Sequence, residues 1–278
     1  MAPRSVRILP VVLSMSELLV LVGSDRRKGN SDLLGRIALR EARGIYDRGD
    51  LIYLKDYELL PCNGCMACAF KEKICPLEDD FYSLLGRINQ ASHLLVIAPT
   101  YVLLPPARFK LLLDRYIAAY PRLKRVRRFG ASVAVIALRD YQQFQIPILN
   151  LLLLAFGFEP VATAEFCGAG PGEVLLEPQL KKRMRDLLVT LKEGEKKTED
   201  GRCPYCLSSL LIFENGRFSC PICDVEVVVE KGIPHFKGEP RWNPDRQQDH
   251  YENRILKTKD RFLSLLKQIN RRKREISL

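Results

Sequence analysis

The sequence has few of the residues that carry hydrolytic chemistry. It contains three histidines and one tryptophan in 278 residues, and no histidine forms a Ser-His-Asp or Cys-His pattern that would indicate a nucleophilic triad. It also lacks an apolar run of membrane-spanning length, since the longest, IPILNLLLLAFGF at 146–158, suits a buried helix better. These absences give no support to a hydrolase and predict no membrane span.

Cysteine, in contrast, is abundant. The chain has nine cysteines, 47% hydrophobic residues and 28% charged residues, enough apolar material for one large domain and a small one. The N-terminal residues do not follow the pattern of a secretory signal. We therefore expect a reducing, cytoplasmic setting, in which clustered cysteines usually hold metal.

The net charge of +11 is concentrated at the C-terminal end, where residues 252–278 contain nine Lys or Arg and three Asp or Glu. Apolar residues recur there near helical period, at Ile255, Phe262, Leu265, Leu266 and Ile269. The pattern favours a basic helix that packs by its apolar face. An acidic protein, an anionic membrane or nucleic acid are alternative partners, although no interleaving of aromatic and basic residues supports nucleic acid.

Strand-like apolar runs alternate with helix-like periods from Leu18 to about residue 193. Five buried strands separated by helices predict an α/β fold with a flavodoxin-like, doubly wound, five-stranded parallel sheet. The predicted organisation is a flexible extension (1–15), the α/β domain (16–191), a polar linker (192–201), a small four-cysteine module (202–236) and a crossover with the basic helix (237–278).

Two loops at predicted strand ends carry the ligand-binding signal. The first, GSDRRKGNS at 23–31, combines a strand end, basic side chains and a helix start, which can cradle a phosphate or form an ordinary basic turn. The second, APTYVLLPPARFKLLLDR at 98–115, resembles the flavin-contacting stretch of the NADPH-dependent FMN reductase-like flavodoxins, with matches at Pro99, Tyr101, Ala107, Lys110, Asp114 and Arg115.

The first loop resembles the G-S-P-R-x-x-G-N-S motif of the same family, with Asp25 in place of proline. The resemblance implies that the FMN phosphate is held by Ser24, Arg26, Asn30 and Ser31. It also implies that the backbone around Pro99, Thr100 and Tyr101 lines the isoalloxazine ring. Leu103 stands where the family usually has glycine. Because FMN lies near a subunit contact in this family, the resemblance further implies a homodimer or homotetramer.

Four cysteines lie in PCNGCMACAFKEKICP at 61–76, with the spacing C-x2-C-x2-C-x6-C. In a flavodoxin-like order this segment emerges at the same sheet edge as the two flavin loops. The motif resembles that of the iron-sulfur flavoproteins, and the resemblance implies one [4Fe-4S] cluster bound by Cys62, Cys65, Cys68 and Cys75. A loop without a cluster, redox-inert or prone to disulfide formation, is the alternative.

The other four clustered cysteines follow the pattern C-x2-C-x13-C-x2-C, at Cys203, Cys206, Cys220 and Cys223. Two such knuckles can close a tetrahedral four-thiolate site, which predicts a structural zinc ribbon, with rubredoxin-type iron as the alternative. Asn215-Gly216 between the knuckles predicts a type I′ hairpin.

Together these features predict an FMN-dependent oxidoreductase with a [4Fe-4S] cluster. Electrons would pass between a donor, ferredoxin or NAD(P)H, and an acceptor that the sequence does not identify. A cluster-free NAD(P)H-dependent FMN or quinone reductase is the first alternative, and a flavin-less scaffold that binds nucleic acid or protein is the second. No side-chain acid or base is required, because the cofactors carry the chemistry.

Overall fold

The computed structural model describes residues 15–71, 74–196 and 201–276. Almost all of the predicted N-terminal extension (1–15) and part of the predicted linker (197–200) lie outside the described residues. No helix in the described ranges is both long and apolar enough to cross a membrane.

The predicted parallel sheet is confirmed, with strands β1 (Glu17–Val22), β2 (Arg48–Tyr53), β3 (His93–Pro99), β4 (Phe129–Ile136) and β5 (Glu159–Cys167). The strand order is β2-β1-β3-β4-β5 and every neighbouring pair is parallel. This is the flavodoxin-like order, in which ligands bind beyond the carboxyl ends of the strands, near the β1/β3 switch point.

Helices cover both faces of this sheet. They are α1 (Asn30–Glu41), the short α2 (Ala67–Phe70), α3 (Phe81–Gln90), α4 (Ala107–Asp114), α5 (Tyr116–Ala119), α6 (Gln145–Ala155) and α7 (Leu180–Glu193). Side chains of β1 alternate between two cores: Leu19 and Leu21 pack with α3, α4 and α6, whereas Leu18, Val20 and Val22 pack with α1 and α7. A strand buried on both faces explains the continuous apolar run in the sequence.

A second, antiparallel sheet of four strands, β6 (Ile212–Glu214), β7 (Arg217–Ser219), β8 (Glu226–Glu230) and β9 (Ile233–Lys237), follows in the order β6-β7-β8-β9. The predicted hairpin is confirmed, because Asn215 and Gly216 both have positive φ, 51° and 78°, as a type I′ turn requires. Most residues of these strands are exposed. The module therefore has little apolar core apart from its cysteines.

The chain ends in α8 (Pro244–Asp249), a π-helical turn (His250–Ile255) and α9 (Thr258–Glu275). Asn243 caps α8 by accepting a hydrogen bond from the Asp245 N–H, and Pro244 occupies the first turn, where its missing N–H costs nothing. No residue of α9 is buried. The expectation that this basic helix packs by its apolar face is therefore wrong for the described chain.

Candidate functional site

The first candidate loop (residues 23–31) joins β1 to α1 and leaves the helix N-terminus open. Gly29 is the N-cap of α1, and no side chain caps the first turn. A Cβ added at Gly29 would lie 3.1 Å from Cδ of Arg26, so the stem of the Arg26 side chain packs over the cap. First-turn N–H groups have no partner within a helix, and together with a nearby arginine they can bind an anion.

A buried carboxylate fixes the shape of this loop. Asp32 accepts hydrogen bonds from the Lys28 N–H, the Tyr53 hydroxyl and the Arg36 guanidinium. Burial alone would raise the pKa of Asp32, but these three donors outweigh it and lower the pKa below its ordinary value. Ser24 and Ser31 are also buried, and the Ser24 Oγ accepts the Arg26 N–H at 3.2 Å.

The side chain of Asn30 connects the first loop to a third one (residues 168–174). Its Nδ2 donates to the carbonyl oxygens of Gly168 and Gly170, at 2.8 and 3.0 Å, and its Oδ1 accepts from the Gly172 N–H at 2.8 Å. A Cβ at Gly168 would lie 2.7 Å from the Asn30 Nδ2, so only glycine permits this approach. The amide of Asn30 is thus engaged within the protein, and only its backbone N–H remains for a ligand.

The second candidate loop follows β3 and forms a tight turn. Tyr101 and Leu104 exchange two backbone hydrogen bonds, at 2.8 and 3.1 Å. The two residues between them, Val102 and Leu103, have φ of 47° and 70°. Positive φ is unfavourable for a β-branched residue, so the turn stores backbone strain of the kind found at functional sites. Val102 at its tip is 91% exposed.

Two buried polar atoms beside this turn have no hydrogen-bond partner in the described chain, the Thr100 Oγ1 and the Gln145 Oε1. The amide nitrogen of Gln145 donates to the carbonyls of Ala98 and Pro99, at 3.1 Å each, and so fixes the end of β3. Unpaired buried groups are costly. A ligand with both N–H and C=O groups at its edge, as in the isoalloxazine ring, would satisfy them.

The cysteine loop (residues 61–76) is held at both ends by the start of α3. The Asp79 carboxylate accepts the Leu60 N–H at 2.9 Å and forms an ion pair with Arg115 at 2.6 Å, with both side chains at most 1% exposed. The Tyr82 hydroxyl accepts the Cys75 N–H at 2.8 Å. The loop therefore begins and ends at fixed points. Arg115 was one of the residues that match the flavin-contacting motif, but the resemblance assigned it no role.

The four thiols of this loop differ in exposure. Cys62 and Cys65 are exposed, Cys68 is half-buried and Cys75 is buried. Within the described residues, they do not form a group compact enough for a single metal ion. Burial is the main cause that raises the pKa of Cys68, and the charges of Cys75, Cys62 and Cys65 raise it further. The four sulfurs therefore lie near one another. The donor set and this looser grouping fit a cluster of several metal atoms better than one ion.

The second cysteine site is compact and buried. The sulfurs of Cys203, Cys206, Cys220 and Cys223 all lie within 4.8 Å of one another, and the Cys206 and Cys220 sulfurs are 3.5 Å apart. Zinc–sulfur bonds of about 2.3 Å in a tetrahedron place neighbouring sulfurs about 3.8 Å apart. The four thiols therefore fit one tetrahedral ion.

Both knuckles of this second site have the same backbone geometry. The Leu207 N–H bonds to the Cys203 carbonyl and the Asp224 N–H to the Cys220 carbonyl, each at 2.8 Å. Leu207 and Asp224 have φ of 57° and 60°, a conformation for which glycine is usual. Neither position has a glycine, so closing the two knuckles forces Leu207 and Asp224 into a strained backbone conformation.

The four-thiolate site is attached to the α/β domain through both knuckles. The buried Asn150 of α6 donates to the Cys206 carbonyl at 2.8 Å, and the Trp242 indole N–H donates to the Ile222 carbonyl at 2.8 Å. Trp242 also meets the ring of Tyr116 edge-on, with centroids 6.1 Å apart. Tyr116 begins α5, which packs against the α2 helix of the cysteine loop. One aromatic pair thus links the surroundings of the two cysteine sites.

Comparison with known proteins agrees with this arrangement. The model of the NADPH-dependent FMN reductase family matches residues 16–165. An iron-sulfur flavoprotein of Methanocaldococcus jannaschii is 30% identical over 158 residues, which cover 54% of this chain and 80% of the relative. An iron-sulfur flavoprotein of Archaeoglobus fulgidus is 33% identical over 142 residues, which cover 51% and 69%.

Among solved structures, a flavone reductase superposes with a TM-score of 0.66 at 18% sequence identity. The superposition covers 92% of each chain, so the shared fold includes part of the region beyond residue 201.

Proposed function

Because the chain belongs to the NADPH-dependent FMN reductase family and is related to proteins named iron-sulfur flavoproteins, it is a flavin-dependent oxidoreductase. We propose that it is an electron-transfer enzyme in which FMN and a [4Fe-4S] cluster share the carboxyl edge of the sheet. The observation that carries the proposal is a four-cysteine loop whose two ends are fixed by Asp79 and Tyr82, in a chain with this family's fold. The same observation disfavours a flavin-less scaffold.

The residues at the strand ends would hold FMN as follows. Ser24, Arg26, Ser31 and the open N-terminus of α1 bind the phosphate, while Asn30 keeps the third loop against the first. Pro99, Thr100 and Tyr101 line the ring, where the unpaired Thr100 hydroxyl gains a partner. Bound FMN converts two-electron to one-electron transfer. The contribution of the chain is to orient the ring and to satisfy its polar edge.

Cys62, Cys65, Cys68 and Cys75 would bind the [4Fe-4S] cluster. The fixed ends of the loop support this assignment, since they place Cys75 against the domain while Cys62 and Cys65 remain exposed. Burial alone would lower the pKa of the Arg115 guanidinium, but its hydrogen bond to Asp79 and then the charge of a Cys75 thiolate raise this pKa above its ordinary value. A fixed positive charge beside a cluster is one means by which a protein tunes its potential.

Cys203, Cys206, Cys220 and Cys223 would hold a structural Zn²⁺. Four buried thiolates leave no open position for water or substrate, and the small exposed sheet around them needs metal to fold. Rubredoxin-type iron is the alternative, because the two strained knuckles would enclose either ion. Zinc and iron differ in colour and in redox activity, so the two are readily distinguished.

Ferredoxin or NAD(P)H would be the electron donor, and a reducing cytoplasm the setting, in accord with nine cysteines that form no disulfide. A cluster-free NAD(P)H-dependent FMN or quinone reductase is a second candidate. The observation that favours it is that two of the four thiols of the cysteine loop, Cys62 and Cys65, are exposed to solvent.

We further propose that the enzyme is a homodimer or homotetramer with its contact beside the flavin loops. Large apolar side chains are exposed on the loops that follow β3, β4 and β5. They are Tyr101, Val102, Leu104, Leu138, Tyr141, Phe144, Leu175 and Leu176. An exposed apolar group of this extent indicates a protein–protein contact or a ligand edge. Analytical ultracentrifugation of the purified chain measures the state directly, and a monomer would contradict the proposal.

The decisive experiment is elemental analysis of anaerobically purified protein, with flavin determined on the same sample. The proposal predicts about four iron atoms, one zinc and one FMN per chain. Zinc and FMN without iron under strict anaerobic conditions would overturn the cluster and favour the cluster-free reductase. Iron in the C-terminal site would appear as one additional iron in place of zinc, with the absorption of a ferric four-thiolate centre.

A further inference from the structure

Helix α9 leaves the body of the protein as an exposed arm. Along Thr258–Glu275 no side chain is buried. Its first turn touches the cysteine loop, where the Lys259 ammonium donates to the Phe70 carbonyl at 3.2 Å. Within the described residues only Leu266 and Ile269 of α9 are even half-buried, and the rest of the helix is exposed. In the part of the chain that the structure describes, this 18-residue helix is exposed along most of its length and has a face available to a partner.

One side of α9 is apolar. Phe262, Leu265, Leu266 and Ile269 occupy positions i, i+3, i+4 and i+7, and Ile276 continues the same line one heptad after Ile269. Phe262 is 48% and Leu265 38% exposed. At 1.5 Å per residue the stripe from Phe262 to Ile276 is about 21 Å long. Exposure of such a stripe in water is unfavourable unless another surface covers it.

Basic side chains flank the apolar stripe on both sides. At 100° per residue, Arg261 and Arg272 fall along one border and Lys259 along the other, while Lys273 falls within the stripe, one turn beyond Ile269. The helix carries seven Lys or Arg and two Asp or Glu, a net charge of +5. Of the two acids, Glu275 pairs with Arg271 and Arg272. Long basic side chains in these positions can extend past an apolar face toward phosphate groups.

We propose that α9 is an interfacial helix that docks the protein on an anionic lipid surface. A second copy of the helix fits poorly, because Lys273 would enter the contact and two helices that each carry a net charge of +5 would repel. A folded acidic protein would need a groove that fits a convex, mostly exposed helix, whereas a lipid interface accepts such a helix without one. The apolar stripe enters the headgroup region and the flanking cations meet phosphate.

The position of α9 gives this docking a functional consequence, which rests on the proposed function. Because Lys259 in the first turn of α9 bonds to Phe70 of the cysteine loop, docking of the helix holds that loop beside the lipid surface. An acceptor dissolved in the bilayer, such as a quinone, would then be within reach of the enzyme. The docking itself requires no redox activity, so it can be tested independently of FMN and cluster content.

The test is co-sedimentation of the metal-loaded full chain with vesicles of mixed phosphatidylglycerol and phosphatidylcholine. We expect binding to the anionic vesicles, little binding to pure phosphatidylcholine, and release at high salt. The double variant Phe262→Glu/Ile269→Glu should bind at least about tenfold more weakly. Ile233→Ser, at a position 49% exposed on β9, is the matched control and should bind like the unmodified chain.

Circular dichroism and metal content of the double variant show whether it stays folded, as expected for exposed positions. Equal vesicle binding by the double variant and the unmodified chain would overturn the proposal. Retention on immobilised polyglutamate or RNA without binding to anionic vesicles would also overturn it, and would assign α9 to an acidic protein or to nucleic acid instead. Concentration-dependent dimerisation abolished by Phe262→Glu/Ile269→Glu, again without vesicle binding, would assign it to a second copy.

Discussion

The two four-cysteine sites of this chain are built in opposite ways. In the C-terminal site the thiols are fully buried and gathered within 4.8 Å of one another. In the cysteine loop two thiols are exposed, one is half-buried and one is buried. The C-terminal site is defined by the contacts among its own sulfurs. The cysteine loop is defined by the attachment of its ends to the start of α3, through Asp79 and Tyr82.

This difference reflects what each site would hold. A single ion is small, so its ligands must approach one another, and a hairpin with two knuckles achieves this locally. A cubane contains several metal atoms and inorganic sulfide, so its ligands stand farther apart and the protein can fix only the ends of the loop. We therefore expect metal loss to unfold the C-terminal module but to leave the α/β domain intact when the cysteine loop is emptied.

The largest effect should come from Cys220→Ser. Loss of one thiolate removes the tetrahedral site, and structural zinc in small modules contributes about 10 kcal/mol to folding. We expect zinc to fall from one per chain to near zero and proteolysis to begin within residues 201–237, while FMN is retained. Metal analysis and limited proteolysis measure both outcomes.

Cys167→Ser is the matched control for Cys220→Ser, since Cys167 is half-buried and lies outside both cysteine groups. It should keep full zinc and the proteolysis pattern of the unmodified chain. If Cys220→Ser kept its zinc, or lost it without exposing the module, the contrast between a metal-dependent module and a self-sufficient domain would be refuted.

The second largest effect should come from Asp79→Ala. Removing one partner of a buried ion pair leaves Arg115 charged and uncompensated, which costs about 3–5 kcal/mol. The Leu60 N–H loses its acceptor as well, so the cysteine loop is released at one end. We expect a lower denaturation midpoint together with a loss of iron. Asp114→Ala is the control, because its pair with Lys110 is exposed and should contribute less than about 1 kcal/mol.

Much of the fold follows from local sequence patterns. Continuous apolar runs predicted five buried strands, and Asn215-Gly216 predicted the hairpin between the knuckles, because both signals depend on neighbouring residues only. Helix starts were less accurate. The apolar period of α7 can be traced back to about residue 175, but the helix begins at Leu180, after Pro178 and after Gln179 with φ of 55°. The residues before it form a separate turn, Glu173–Leu176.

The position of the candidate loops at the carboxyl edge of the sheet was predictable from the sequence, but the contacts between them were not. Loop order and resemblance placed the flavin residues and the cysteine loop at one sheet edge. They did not show that the Asn30 amide is hydrogen-bonded to the loop at 168–174, nor that Gln145 fixes the end of β3. These contacts join residues that are 47 to 142 positions apart in the sequence. The prediction that α9 packs by its apolar face was wrong for a related reason. Helical periodicity indicates an apolar face but not what covers it.

A smaller effect should come from Trp242→Phe, which tests whether the two sites are coupled. Phenylalanine keeps the contact with Tyr116 but removes the hydrogen bond to the Ile222 carbonyl, a loss of about 1 kcal/mol. Because this indole is the only tryptophan, its fluorescence in the unmodified chain should also change when metal is removed from the C-terminal site. We expect Trp242→Phe to weaken zinc retention against a chelator while iron content changes little.

Phe213→Leu, on the exposed outer hairpin, serves as the control for Trp242→Phe. If Trp242→Phe lost iron and zinc together, the two sites would be coupled more strongly than one hydrogen bond explains. If tryptophan fluorescence did not respond to metal removal, the contact between Trp242 and the second knuckle would be in doubt.

The smallest effect on stability should come from Cys62→Ser, although its effect on iron should be complete. Cys62 is exposed and its side chain packs on no core, so the denaturation midpoint of the apoprotein should shift by less than about 0.5 kcal/mol. Iron should be lost while zinc and FMN remain. Lys71→Ala, an exposed neighbour in the same loop, should change none of the three. A large loss of stability in the Cys62→Ser apoprotein would show that the loop is held by its thiols rather than by Asp79 and Tyr82, and the two cysteine sites would then share one design.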